Sequence, residues 1–344
     1  MIKVKNEGIV LGKTQTVFEE DGVLNPAVIQ DGNIVHMFYR AVRKGNYSSI
    51  GYCKLNGPLT VEHRNDSPLI YPQHDYESYG VEDPRITKID GLYYLTYTGY
   101  DGLNALGALA TSTDLVHFEK KGVITPVINF ARFKYLAESK ELLNEKYVRF
   151  NEREHVDKID GKPLFLWDKD LAFFPRRING KLTFLHRIRP DIQIAAVNEL
   201  SDLTGTYWED YFIHLESNIA LTPKFEHEAS YIGGGCPPIE TEIGWLIIYH
   251  GVQDTPKGYV YSACVALLDL ENPCKEIARL PYALFSPEFE WELIGYVNNV
   301  CFPTGTSLFG DTLYIYYGAA DEQIACASIK LNDLLQELII YKTN

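Results

Sequence analysis

The sequence predicts an all-β fold, a five-bladed β-propeller with a helical insertion between blades. Three observations predict it: five segments that repeat one hairpin pattern, the spacing between them, and a single stretch of helical periodicity that interrupts the series. The segments are DGNIVHMFYRA from Asp31, DGLYYLTYTGYD from Asp90, NGKLTFLHRIR from Asn179, EIGWLIIYHG from Glu242 and GDTLYIYYGAAD from Gly310. In each, a tight turn carrying Gly leads into a run of apolar and aromatic residues. Glycine supplies the positive φ of a short hairpin turn, and β-branched and aromatic content favours a strand. Self-similarity at a long period marks stacked supersecondary units.

Measured at the strand ends, Arg40, Thr98, Arg187, His250 and Gly318, the gaps are 58, 89, 63 and 68 residues. Gaps of this size suit four-stranded blades with generous loops, and a radial arrangement leaves few exposed sheet edges. A β-sandwich with similar hairpins is the other architecture such strands could build. A propeller must hold all its blades to close, so residues 1–344 are expected to form one domain. The long gap contains NFARFKYLAESKELLNEKYVR, with apolar residues at helical spacing: Phe133, Leu136, Leu142, Leu143 and Tyr147. Residues 126–166 therefore read as an insertion with a helix over about 129–149, placed to cap a central cleft, to form a contact in a homo-oligomer, or simply to run over the surface. The segment LNDLLQELIIYK fits either a last helix or the strand that closes the ring.

A net charge of −14 opposes nucleic-acid and anionic-membrane partners, which reward positive fields. The six Cys show no zinc-like spacing and read as free thiols of a reducing compartment. MIKVKNEGIV lacks an apolar signal core and no run reaches 18 apolar residues, so the expected location is cytoplasmic.

Strands of a propeller end together at one face, so the polar residues closing each repeat should meet. That set is Arg40, Asp101 or its neighbours, Lys169 with Arg187, His250, and Asp321. Taken singly, Arg40 could be a strand-end ion pair and His250 a core histidine; recurrence at one phase of the repeat is what marks them. Two other segments stand out. In GVEDPR, Pro84 should hold Asp83 extended, with its carboxylate stiff beside Glu82 and Arg85, unless the segment is only an Asx-type turn with a local ion pair. In YIGGGCPPI, a glycine run from Gly233 would let backbone approach a ligand, but it lacks the Lys-Ser/Thr of a P-loop.

Taken together and in order, NPAVIQDGNIVHMFYRA, VEDPRITKIDGLYYLTYTGYD, KDLAFFPRRINGKLTFLHR, IGGGCPPIETEIGWLIIYHG, YSACVALLDL and NNVCFPTG with IYYGAAD resemble glycoside hydrolase family 130. That family comprises mannoside phosphorylases and some β-mannosidases. The resemblance runs from Asn25 to Asp321, with the 126–166 segment foreign to shorter members, and it implies a five-bladed propeller. It implies that Asp83 is the catalytic acid, protonating the leaving oxygen through the 3-hydroxyl of the mannosyl residue. Asn25, Arg40 and Asp321 match positions that hold the mannosyl group, and Lys169, Arg187, His250 and Tyr261 match positions that hold phosphate. Cations draw the anion into an acidic protein, and His and Tyr add oriented hydrogen bonds.

One position departs. Many phosphorylases of the family carry Lys before the glycine run, where this chain has Tyr231. Loss of a cation favours a hydrolase, which needs a second carboxylate to activate water; Glu228, Glu226 and Asp321 are the candidates. The expected activity is inverting phosphorolysis of a β-mannoside oligosaccharide to α-mannose 1-phosphate, with inorganic phosphate as co-substrate and no metal or organic cofactor. An inverting β-mannosidase acting on β-1,2 linkages and a non-catalytic glycan-binding propeller are the alternatives.

Overall fold

The structure, a computed structural model, describes residues 2–152, 158–159 and 161–342. It is built mainly of antiparallel strands. The five repeated segments form the second strand of five four-stranded groups: Ile34–Arg43, Leu92–Tyr100, Leu182–Arg187, Gly244–Thr255 and Thr312–Ala319. The first two groups share one sheet only through a single parallel bridge between Ser48 and Gly80. The fourth carries a short extra strand, Ile239–Thr241, on Gly244–Thr255. In the fifth, the N-terminal strand Lys5–Leu11 pairs with Gln323–Lys330 and completes the sheet from the other end of the chain. The C-terminal segment whose identity the sequence left open is a helix, Leu331–Ile340.

Among the described residues the core comprises six apolar clusters, five of them between successive groups and one within the fifth. Phe38 and Ile50 of the first meet Val81 and Leu95 of the second, and Leu109 of the second meets Phe173 and Phe184 of the third. Leu185 meets Trp245, and Ile248 meets Ile315. The series returns on itself, because Tyr316 and Ile324 of the fifth pack with Val23, Val35 and Met37 of the first.

The helical stretch departs from expectation. In place of one helix over 129–149 there are two, α1 Phe130–Ala137 and α2 Glu145–Asn151, each started by an asparagine cap. Asn144 accepts from the Lys146 backbone N–H at 2.9 Å, which begins a new helix where the periodicity suggested continuation. Leu142 falls between them and is exposed. Residues 153–157 and 160 of the expected insertion lie outside the described residues. A third helix, α3 Gly205–Ile213, was not anticipated; its Trp208, Tyr211 and Phe212 join Phe133 of α1 in the cluster between the second and third groups.

One irregularity recurs. The first strand of each of the first three groups carries an extra residue at the same point: Leu24 pairs with Arg40 and Ala27 with Phe38, Glu82 with Thr98 and Arg85 with Thr96, Lys169 with Arg187 and Ala172 with Leu185. The residue opening each bulge is left-handed: Asn25 (φ 48°), Asp83 (φ 48°) and Asp170 (φ 57°). Asn and Asp tolerate this region better than other side chains, and bulges re-aim a side chain next to functional sites. The extended conformation expected for Asp83 before Pro84 is therefore not found; the bulge overrides the local proline preference.

Candidate active site

The three bulges and the ends of the second strands empty into one cavity of about 210 Å³. Its lining includes Asn25, Arg40, Asp83, Lys169, Asp170, Arg187, Arg189, Tyr231, His250, Tyr261, Phe302 and Asp321. All five strand groups or their loops contribute. Four of these side chains are cations and three are carboxylates, so the lining is net positive inside a chain of net charge −14.

One half of the cavity is organised around Asp83. Asn25 Nδ2 donates to Asp83 Oδ1 at 2.8 Å and Arg40 Nη1 does so at 3.3 Å. Arg40 also donates to Ser48 Oγ at 2.8 Å and pairs with Glu82 at 2.9 Å. Glu82 stays outside the cavity and holds Arg40 and, at 3.9 Å, Lys169. Burial alone would raise the Asp83 pKa. The Arg40 and Lys169 charges and the Asn25 amide outweigh it and bring the carboxyl down to about 2. Asp321 goes the other way: burial dominates, Arg40 offsets it only in part, and its pKa rises to about 6.

The other half is organised around Asp170. Its carboxylate lies 2.7 Å from Arg187 Nε, 3.8 Å from Arg85 and 3.9 Å from His250 Nε2. Neither ring nitrogen of His250 has a hydrogen-bond partner among the described residues, although the side chain is buried. Burial and the Arg187 and Arg85 charges push its pKa well below the usual value, so the imidazole is neutral and offers an N–H to whatever fills the cavity. The Tyr231 and Tyr261 hydroxyls are 2.7 Å apart, and Arg187 stacks over the Tyr231 ring at 5.5 Å. Lys169 lies between the halves, within the field of Glu82, Asp83 and Arg187.

The glycine run works differently from the expectation that it would meet a ligand. A Cβ on Gly233 would stand 2.4 Å from His250 Cε1 and 2.6 Å from Asp170 Oδ2. The strand must be bare there so that the fourth group can close on the third. Arg85 of GVEDPR, fully buried, donates to the Gly235 and Gly234 carbonyls and ties the second bulge to this run.

Of the residues singled out from sequence, Asn25, Arg40, Asp83, Lys169, Arg187, Tyr231, His250, Tyr261 and Asp321 line the cavity. Three do not. Glu228 is buried behind it, accepting from the Lys224 and Phe225 backbone N–H groups and the Tyr249 hydroxyl and pairing with Arg279 at 3.2 Å. Its proximity in sequence to Tyr231 misled because the short helical turn Glu226–Glu228 points it into the protein. Glu226 is exposed and accepts from Gln253. Asp101 closes an Asx turn onto Leu103 and Asn104. Asp170 and Arg189 were missed, although Lys169-Asp170 stands at the same phase of the repeat as Leu24-Asn25 and Glu82-Asp83. The missing signal was the proline that follows Asn25 and Asp83.

A second, wider cavity of about 820 Å³ shares Arg40 and Asp321 with the first and is lined further by Lys13, Asn46, Tyr296 and Glu322. Tyr47 and Tyr79 stack at 5.1 Å, with Arg43 over the Tyr47 ring.

Fold and site thus define a β-sheet protein that pools charged side chains from five strand groups in one pocket. The family model of glycoside hydrolase family 130, described as β-1,4-mannooligosaccharide phosphorylase, matches residues 5–339. The chain belongs to this family. It is 33% identical over 347 residues to a 1,2-β-oligomannan phosphorylase of Thermoanaerobacter sp. strain X514, covering 97% of this chain and 99% of that one. A β-1,2-mannobiose phosphorylase of the same strain is also 33% identical, over 96% of this chain and 97% of the other. Among solved structures, the β-1,2-mannobiose phosphorylase of Listeria innocua in complex with β-1,2-mannobiose superposes with a TM-score of 0.72 at 22% identity, covering 96% and 97% of the two chains.

Proposed function

We propose that the chain is an inverting β-mannoside phosphorylase acting on β-1,2 linkages, its residues 1–344 a single five-bladed propeller. The propeller reading is supported by the return of the apolar clusters from the fifth strand group to the first. The linkage follows the two full-length relatives rather than the family description. The observation that carries the activity is the pocket's pair of halves: a carboxylate wall at Asp83 and Asp321, and a cationic wall with a neutral histidine.

In this reading Asn25, Arg40 and Asp321 hold the mannosyl residue, and Lys169, Arg187, His250 and Tyr261 hold phosphate. A phosphate oxygen bonds to C1 as the C1–O bond to the leaving sugar breaks. The leaving oxygen takes a proton from the mannosyl 3-hydroxyl, which is replenished from Asp83. The acceptor part of the substrate lies toward the wider cavity at Arg40 and Asp321. An Asp83 with a pKa of about 2 is ionised in the empty pocket at neutral pH. Phosphate neutralises Lys169, one of the charges that hold that value down, and its own negative charge favours protonation, so co-substrate binding arms the acid. Positioned donors of this kind act where charge develops in the transition state.

The hydrolase alternative is favoured by Tyr231 alone. Of the three carboxylates offered for its base, only Asp321 lines the cavity. Product analysis on β-1,2- and β-1,4-mannobiose, with and without millimolar phosphate, decides. Mannose 1-phosphate formed only with phosphate is the expected result; free mannose at a phosphate-independent rate would establish the hydrolase.

A further inference from the structure

Arg189 lines the same cavity as Lys169 and Arg187. Its guanidinium carbon sits 4.8 Å from the centre of the Tyr231 ring and 6.0 Å from that of Phe150. Arg40, Lys169 and Arg187 each have a carboxylate within 4.0 Å. Among the described residues Arg189 has no such partner; burial and the adjacent Arg187 charge push its pKa down. Arginine nevertheless keeps its proton at physiological pH. A largely buried positive charge is therefore left without a counter-ion at the edge of a cavity, a costly arrangement unless an anion completes it.

The second helix of the insertion holds this arginine in place. Asn151 Nδ2 donates to the Arg189 carbonyl at 2.7 Å, and the Tyr147 hydroxyl donates to Asp191 at 2.7 Å. Phe150 meets the Tyr231 ring edge-on at 5.5 Å. From the other side, the Ile232 backbone N–H donates to the Pro190 carbonyl at 3.0 Å. The stretch 189–191 is thus clamped between α2 and the strand Tyr231–Gly234, and the Tyr231 ring is the platform on which the guanidinium rests. An ammonium at 231 would repel Arg189, whereas an aromatic face attracts it.

We propose that Arg189, positioned by α2 and by the Tyr231 ring, is a third cationic ligand for inorganic phosphate. The inference rests on the phosphorylase reading of this pocket. It gives the 126–166 segment a role in the anion half of the site, and it supplies from position 189 a charge that position 231 lacks.

The test is calorimetric binding of inorganic phosphate to the full chain, alone, for the wild type and for R189Q, R189K and N151A. R189Q is expected to weaken binding about 10- to 100-fold, the loss typical of one charge-assisted contact. R189K should fall between it and the wild type, and N151A should weaken binding less than R189Q. In turnover, the KM for phosphate should rise while the KM for β-1,2-mannobiose stays within about two-fold. Unchanged phosphate affinity in a folded R189Q, or a mannobiose KM that rises as much as the phosphate KM, overturns the inference. If R189Q does not fold, unchanged affinity in N151A does so. Failure of the phosphorylase reading looks different: the wild type would release free mannose whether or not it binds phosphate.

Discussion

Asp83 and Asp321 share a pocket and a cation, yet Arg40 pulls one pKa down while burial pushes the other up. If Asp83 is the acid, Asp83→Asn should cut turnover about 10²- to 10⁴-fold or more and leave phosphate binding intact. Loss of phosphate binding together with activity would instead make Asp83 a structural residue. Because the carboxyl is ionised in the empty site, phosphate and mannoside binding should draw in a proton. Calorimetry at pH 7 in buffers of different ionisation enthalpy is expected to show net uptake, which Asp83→Asn abolishes. Asp321 has the opposite sign. Its folded pKa of about 6 exceeds the ordinary 3.8, so the stability present below about pH 4 is lost as pH rises through 6. Asp321→Asn should therefore raise stability at pH 7 by roughly 1–3 kcal/mol over its effect at pH 4, while weakening mannoside binding; equal effects at both pH values would refute the shift. At this scale the sequence was informative where a repeat placed like residues in phase. Arg40, Thr98 and Arg187, read as strand ends, turn out to face the three bulges in register. Arg189 was illegible because it is marked by having no carboxylate partner among the described residues, which only the folded neighbourhood reveals.

The strand Tyr231–Gly234 carries no side chain at Gly233 and Gly234 because His250 and Asp170 close over it there. Gly233→Ala would drive a methyl into His250 and Asp170, both of them buried. Overpacking of this kind costs about 1–3 kcal/mol, and here the displaced side chains belong to the pocket. Thermal unfolding should show the loss of stability, and the KM for phosphate should rise with it; a variant of normal stability and normal phosphate KM would mean that the strand yields. Strand identity was readable from turn glycines and apolar runs because each second strand is buried almost throughout. The insertion was read less well. Leu142 and Leu143 continued a helical period that the asparagine cap at 144 interrupts, and a cap competes locally with periodicity. Helix α3 went unseen because its aromatic residues, in GTYWEDYFI, read as readily as strand as helix.

Across the whole molecule, stability rests on apolar seams between neighbouring strand groups and on one strand borrowed from the opposite end of the chain. Deleting residues 1–12 would strip Lys5–Leu11 from Gln323–Lys330 and leave the latter an open edge. Such a truncation is expected to lower the unfolding temperature and to promote self-association on size-exclusion chromatography; a monomer of unchanged unfolding temperature would show that the pairing is dispensable. The number of units was legible from spacing, since each occupies a similar length of chain, but the identity of the closing strand was not. A seven-residue segment, KNEGIVL, carries no mark of a partner more than three hundred residues away. That pairing also sets an order of events during synthesis. Of the strands among the described residues, Lys5–Leu11 leaves the ribosome first, yet its partner is made last. Until translation has passed Lys330, the segment has nowhere to dock, and the fifth sheet, with the Asp321 wall of the pocket, can be finished only after release of nearly the whole chain. A nascent polypeptide of this kind must keep one short strand unclaimed throughout its own elongation, and premature pairing of that strand with a neighbour would be the error most costly to undo.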